Sequence, residues 1–347
     1  MTPLLGVSPA RADQRRDSQW YLKSLHVAQA HRITEGAGVT VAVVDTGVQA
    51  DHPDLDGAVL SGFNALGSGD GREDAQGHGT AMAGIIAARG RSGDRGILGI
   101  APAAKILPIT PAASPLVVTD GIRWAVDHGA KVINLSIGVI DDEGLAAAIK
   151  EAAAADVVLV AATGNDGEQG IKGDYPAAYP EVLAVGATDR DGKSAAFSHR
   201  GSQLDLVAPG VDMTVANGAA DGDYSVVNGT STSTAIVSGA AALIRAKYPE
   251  LSAAQVVKAL ESAAVDKGPA GRDDAYGYGE LDLVAALDVA ASMTPGPAAS
   301  SAVPAPAFEP IREDSIMPQI SAVVWGVLVI GGVILALVSR RRRSRSG

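Results

Sequence analysis

The chain has 347 residues, enough to bury a substantial core, and no cysteine, which excludes disulfides, thiolate metal sites and a cysteine nucleophile. Its net charge is −11, and with the five arginines of residues 319 to 347 set aside the rest carries 23 basic against 39 acidic residues, an excess that excludes nucleic-acid binding. Aromatic residues make up only 4% while glycines number 41, so helices and strands must pack closely through small side chains.

The first twelve residues, MTPLLGVSPARA, end in the small-x-small pattern of a secretory cleavage site, and residues 1 to 12 are read as the remnant of a signal peptide. Residues 13 to 38 form an N-terminal extension. From residue 39 to residue 291, β-branched runs (VTVAVVD, AKILPI, KVINLSI, VVLVAAT, VLAVGAT) alternate with alanine-rich helical stretches such as GLAAAIKEAAAAD. Continuous apolar strands separated by helices predict an α/β fold, a doubly wound parallel sheet with helices on both faces. In such sheets, sites lie beyond the carboxyl ends of the strands.

Residues 292 to 318 hold six prolines among small residues and read as a linker. Residues 319 to 339 contain an uncharged apolar run long enough to span a bilayer, and residues 340 to 347, with five arginines, form a basic tail. One C-terminal transmembrane helix is therefore expected. The charge asymmetry places the tail in the cytoplasm and the large domain outside a cell membrane, in a single-pass protein.

Four places could carry chemistry. The strand VTVAVV runs into Asp45, with Thr46 and Gly47 behind it, so a carboxylate stands at a strand's carboxyl end. His78 lies between two glycines at the start of a small-residue helix, where an imidazole can point into a cleft. His26, His31, His52, His128 and His199 sit where surface or packing roles are the default. The strand VVLVAAT ends at Thr163-Gly164 and presents Asn165, whose amide can donate to an oxyanion. Finally, NGTSTSTAIVSGAAAL sets five hydroxyls, Thr230 to Thr234, at a helix start. Taken alone, such residues read as a capped helix rather than as a nucleophile. Threonine's β-branching leaves Ser231 and Ser233 as the nucleophile candidates, and the sequence does not separate the two.

Taken in the order Asp, His, Asn, Ser and with their flanks, these segments resemble the subtilisin-like serine proteases over about residues 20 to 290. VAVVDTGV with DHPDL is similar to that family's aspartate block, GHGTAMAGIIAA to its histidine block, VINLSIG to its substrate-strand block, AATGN to its oxyanion block and NGTSTSTAIVSGAAAL to its serine block. The resemblance implies a serine endopeptidase with Asp45, His78 and Ser231 as catalytic residues. It also implies Asn165 in the oxyanion hole, and Ser136, Ile137 and Gly138 pairing with an extended peptide or protein substrate. Ala81-Met82 and Ala235-Ile236 depart from the His-Val and Pro-His common in the family.

The N-terminal extension, the linker and the single C-terminal apolar span further resemble the mycosins, membrane-anchored members of the family in type VII secretion systems. A type VII membrane complex is the partner this implies. The rival from another class is a structural or regulatory subunit with a protease fold and little turnover. No cofactor is required for the chemistry, and no metal site is assigned. The carboxylates of GSGDGREDAQG match no calcium-loop spacing and read as a solvated loop, which leaves structural calcium open.

Overall fold

The apolar runs become strands of one sheet because each is buried on both faces, with alternate side chains entering two different cores. In the first strand, β1 (Thr40–Val44), Val41 and Val43 enter one core while Ala42 and Val44 enter the other. The computed structural model describes residues 14–294 except 66, 68, 92–94, 111–113, 168–174 and 219–223. The chain divides into two units, residues 1–303 and 304–347, and the described residues lie in the first.

Three short helices, α1 (Gln14–Ser18), α2 (Trp20–Ser24) and α3 (Val27–His31), precede β1, and β2 (Phe63–Asn64) and α4 (His78–Ala87) follow it. A hairpin, β3 (Arg89–Arg91) and β4 (Arg95–Leu98), leads to β5 (Lys105–Thr110), α5 (Pro115–Asp127), β6 (Val132–Leu135), α6 (Glu143–Ala154), β7 (Val158–Ala162), β8 (Val182–Thr188) and β9 (Leu206–Pro209). A second antiparallel ribbon, β10 (Met213–Ala216) and β11 (Tyr224–Val227), precedes α7 (Thr230–Lys247), α8 (Ala253–Ala263) and α9 (Leu283–Ser292).

The main sheet has seven parallel strands in the order β2-β5-β1-β6-β7-β8-β9. Helices α5 and α6 cover one face through Val118, Ile122, Leu145 and Ile149, and α4, α7, α8 and α9 cover the other. The five predicted strands are all present. The strands β2 and β9 and the two ribbons were not predicted, because two to four residues are too short to carry a periodic signal. They form only where other parts of the chain supply a surface.

The helix α7 is buried along every residue from Thr230 to Arg245. Small side chains permit this: a Cβ on Gly239 would lie 2.6 Å from the Cβ of Ile100. The helix runs unbroken through Ala235-Ile236. The N-terminal extension also packs on the domain. The Gln19 side chain exchanges hydrogen bonds with the Leu98 backbone at 2.8 and 2.9 Å, Tyr21 is fully buried, and Trp20 Nε1 donates to the Val211 carbonyl. Among the described residues no helix is long and apolar enough to cross a membrane. The signal-peptide remnant at 1–12, most of the 292–318 linker, the 319–339 span and the 340–347 tail lie outside the described residues.

The far end of α7 is closed by a buried charge. Arg245, its side chain only 4% exposed, donates to the Asp156 carboxylate at 2.9 Å, to the Asp156 carbonyl and to the Leu251 carbonyl. The same carboxylate accepts from Ala253 N at the start of α8. Removing one partner of a buried pair is costly, whereas replacing both by apolar groups is nearly neutral. Asp156→Ala is therefore expected to cost about 3 kcal/mol. That lowers Tm by on the order of 10 °C in thermal denaturation, and the double variant with Arg245→Met should recover most of the loss. Equal melting of the single variant and the wild type would show that the pair contributes nothing.

Candidate active site

β1, β6 and β7 are neighbours in a parallel sheet, so their carboxyl ends open on the same edge. Asp45 follows β1 and extends its ladder, its N–H donating to the Ile109 carbonyl at 2.9 Å. Its carboxylate is 1% exposed, and Oδ1 accepts from Thr46 N at 2.8 Å and from His78 Nδ1 at 2.7 Å. A carboxylate can only accept here, so Nδ1 carries the proton, and Nε2 of the neutral ring is the basic nitrogen.

His78 opens α4, and the approach of that helix to the Asp45 turn depends on two glycines. A Cβ on Gly47, at φ +106°, would lie 2.0 Å from the Glu73 carbonyl oxygen, and one on Gly79 would lie 2.0 Å from the Gly47 carbonyl oxygen. Only hydrogen at both positions lets strand end and helix start touch.

The turn is also tied by Asp74, a residue the sequence did not single out. The expectation of a solvated loop at residues 67–77 is corrected at this position, because Asp74 is buried. Its Oδ1 accepts from Thr46 Oγ1, Gln76 N and Gly77 N, and its Oδ2 accepts from Thr80 N and Thr80 Oγ1. Thr46 Oγ1 in turn accepts from Gly79 N at 2.9 Å. A carboxylate that takes five donors at a helix start satisfies the free N–H groups there and favours the helix dipole. Its only signal in the sequence is an acid four residues before the histidine. Among the described residues, no group of three or more His, Cys, Asp or Glu could hold a metal ion.

Burial, the largest single influence on His78, lowers the pKa of its imidazole. The hydrogen bond to Asp45 and the charges of Asp45 and Asp74 act in the other direction and together prevail, so His78 titrates above the ordinary histidine value.

The five hydroxyls of α7 divide cleanly. Ser233 is fully buried and donates to the Ala208 and Pro209 carbonyls at the end of β9. Thr232 Oγ1 donates to the Gly229 carbonyl and Thr234 Oγ1 to the Thr230 carbonyl. Thr230 donates from both N and Oγ1 to Asn165 Oδ1, at 2.9 and 3.2 Å. Ser231 lines a cavity of about 340 Å³ together with His78, Asn165 and Thr232, whose own hydroxyl is turned back to Gly229. With Oδ1 of Asn165 held by two donors, its Nδ2 is left to serve as a donor in that cavity. Ser231 and Ser233 thus occupy different faces of the helix, one toward the cavity and the other on the β9 carbonyls.

Ser136 follows β6 and lies beneath the nucleophile candidate. Its Oγ accepts from Asn134 Nδ2 at 2.9 Å and donates to the Ser231 carbonyl at 3.2 Å, while Ser238 Oγ donates to Asn134 Oδ1. Ile137 is half-buried and Gly138 exposed, with nothing within 4 Å of where its Cβ would be. Neither lines the cavity that holds His78, Asn165 and Ser231.

Comparison with known proteins gives a consistent picture. The Subtilase family profile matches residues 36–279. Subtilisin DY of Bacillus licheniformis is 39% identical over 254 residues, covering 71% of this chain and 89% of that protein. Subtilisin Savinase of Lederbergia lenta is 38% identical over 274 residues, covering 77% and 97%. Among solved structures, MycP1 with its N-terminal propeptide removed is similar at a TM-score of 0.70 and 31% identity, over 80% of this chain and 98% of that one. The MycP3 protease from the type VII (ESX-3) secretion system is similar at a TM-score of 0.70 and 32% identity, over 82% and 90%. With the profile spanning most of the domain and whole subtilisins aligned to it, the chain belongs to the subtilase family and is a subtilisin-like serine endopeptidase.

Proposed function

We propose that Ser231 is the nucleophile of this endopeptidase, with His78 as general base and acid and Asp45 as the residue that orients His78. The observation that carries this reading is the 2.7 Å Asp45–His78 hydrogen bond beside a cavity that His78 shares with Ser231 and Asn165. Ser231 Oγ attacks the scissile carbonyl carbon and its proton passes to His78 Nε2. The tetrahedral oxyanion is held by Asn165 Nδ2 and the Ser231 backbone N–H. On collapse, His78 returns the proton to the departing amine, leaving an acyl-enzyme on Ser231. Water, deprotonated by His78, then attacks the acyl carbon and releases the second product. The acyl half of the substrate pairs as an added strand with residues 136–138.

The proposal extends to location. The enzyme is tethered by residues 319–339 in a cell membrane, with the domain outside and Arg340 to Gly347 in the cytoplasm, and it acts on peptides or proteins at a type VII secretion complex. The uncharged span followed at once by five arginines supports the orientation. The likeness to MycP1 and MycP3 supports the setting, although the subtilisins named above are closer in sequence identity.

Fluorophosphonate labelling tests the nucleophile: Ser231→Ala is expected to abolish it and Ser233→Ala to leave most of it. Loss of labelling in Ser233→Ala alone would reverse the assignment, and an unlabelled wild type would favour the regulatory-subunit rival. The pH dependence follows from His78, which must be neutral to accept the serine proton. With its pKa raised, the acidic limb of kcat/KM should have its midpoint above the ordinary histidine value of about 6.5. In Asp45→Asn, kcat should fall by about 10⁴-fold and the midpoint should move down. A midpoint that stays in place would assign the limb to another group. For orientation, protease added to intact spheroplasts should degrade the domain; protection until lysis would place it in the cytoplasm and end the secretion reading.

A further inference from the structure

The ribbon β10–β11 forms one wall of the catalytic cavity, and its two faces have different neighbours. Register pairs Val215 with Ser225 and Met213 with Val227, so these lie on one face, while Thr214 and Tyr224 belong to the other. Val215, Ser225 and Val227 line the cavity that holds His78 and Ser231, and so does Ala216, the register partner of Tyr224, at the end of β10. Thr214 Oγ1 on the opposite face is 2.9 Å from Ser18 Oγ of α1, and the guanidinium of Arg15 lies 4.3 Å above the Tyr224 ring. At the base of the ribbon, Trp20 Nε1 donates to the Val211 carbonyl and Asp212 N to Asn228 Oδ1. The N-terminal helices therefore grip the back of the wall whose front faces the chemistry.

Apart from the N-terminal helices, the ribbon is held by a polar node built on the buried Asp54 and on Arg91 of β3. Tyr224 OH donates to Asp54 Oδ2 at 2.6 Å and accepts from Arg91 Nη2 at 3.0 Å. Asp54 is fully buried, and also accepts from Arg91 Nε at 2.8 Å and from Ile97 N at 2.9 Å. The edge of the His52 ring packs against the Tyr224 ring, with centroids 5.7 Å apart. Burial, joined by the Asp54 hydrogen bond and charge and opposed by Arg91 and Arg15, pushes the phenol above its usual pKa. A charge-assisted hydrogen bond in such surroundings fixes geometry more tightly than an exposed contact does.

Which part of the substrate meets this wall follows from the cavity's lining. Residues 136–138, the strand proposed to pair with the acyl half, do not line it, whereas His78, which protonates the departing amine, does. The wall therefore stands on the leaving-group side, with an apolar surface from Met82, Val215 and Val227.

We propose that Tyr224, held by Asp54, Arg91 and the N-terminal helix, is a positioning residue that fixes the leaving-group-side wall of the cleft, so that the N-terminal segment sets how well the enzyme accepts the residue after the scissile bond. This inference rests on Ser231 and His78 acting as proposed above. It concerns a part of the cleft that a substrate with a small leaving group, such as a methyl ester, does not fill.

The test compares two substrates with the same acyl half: a methyl ester, whose leaving group is too small to reach the wall, and an internally quenched peptide that continues past the scissile bond with leucine first. Wild type, Tyr224→Phe and Arg15→Ala are assayed, each normalised by fluorophosphonate titration. The phenylalanine keeps the ring and loses only the node's hydrogen bonds. Its kcat/KM on the extended peptide should fall by about tenfold, and that of Arg15→Ala by about threefold, while both stay within about twofold of wild type on the ester. Parallel losses on the two substrates would show that Tyr224 only stabilises the fold, and no loss on either would show that the wall does not depend on it. Both outcomes overturn the inference while leaving the nucleophile assignment intact. An unlabelled wild type would overturn the nucleophile assignment and this inference with it.

Discussion

The constraint on which the site depends is the parallel order of β1, β6 and β7. Parallel neighbours present their carboxyl ends on a single edge, and these three end in Asp45, Ser136 and the Gly164-Asn165 turn. The pairs β5–β1 and β1–β6 place β1 where chain connections diverge to either side, the place at which an open α/β sheet leaves a crevice. α4 and α7 then lie over the same face of the sheet and bring His78 and Ser231 to that edge from their N-terminal turns. None of these residues is near another in sequence, and no local propensity brings them together.

Two buried carboxylates serve opposite ends of this arrangement. Asp74 accepts five hydrogen bonds and, through Thr46, links the end of β1 to the start of α4, so the distance between Asp45 and His78 is set by a satisfied network. Asp54 does the same for the outer side of the cleft, joining the β3–β4 hairpin to the ribbon through Arg91 and Tyr224. Each is surrounded by donors, as buried charge requires. The chemistry proposed for Ser231 thus sits between two polar clamps that are not themselves exposed to substrate.

The N-terminal extension belongs to the same mechanical system. Gln19 continues the hydrogen bonding of β4, Trp20 reaches the base of the ribbon, and Arg15 and Ser18 cover its outer face. A segment of three five-residue helices has too little local stability to form by itself. Its helices exist because the hairpin and ribbon offer partners, and the ribbon in turn has an outer face only because they cover it.

By itself the sequence determined the fold class, since strands buried on both faces must be continuous apolar runs and helices between them force a parallel sheet. It marked Asp45, His78 and Asn165 as site candidates, although each alone reads as well as a turn or packing residue, and only the resemblance to a known family joined them into one site. It narrowed the nucleophile to Ser231 or Ser233, and only a family resemblance chose between them. The tertiary structure separates the two physically, because α7 turns Ser233 onto the β9 carbonyls and Ser231 into the cavity, and the proposed nucleophile rests on that difference. It also decided the parts with no periodic signature: Asp74, which looked like one more acid in a polar loop, and Tyr224 in a four-residue strand. Their roles come from donors far away in the chain, and such partners become visible only when the sheet has brought them into contact.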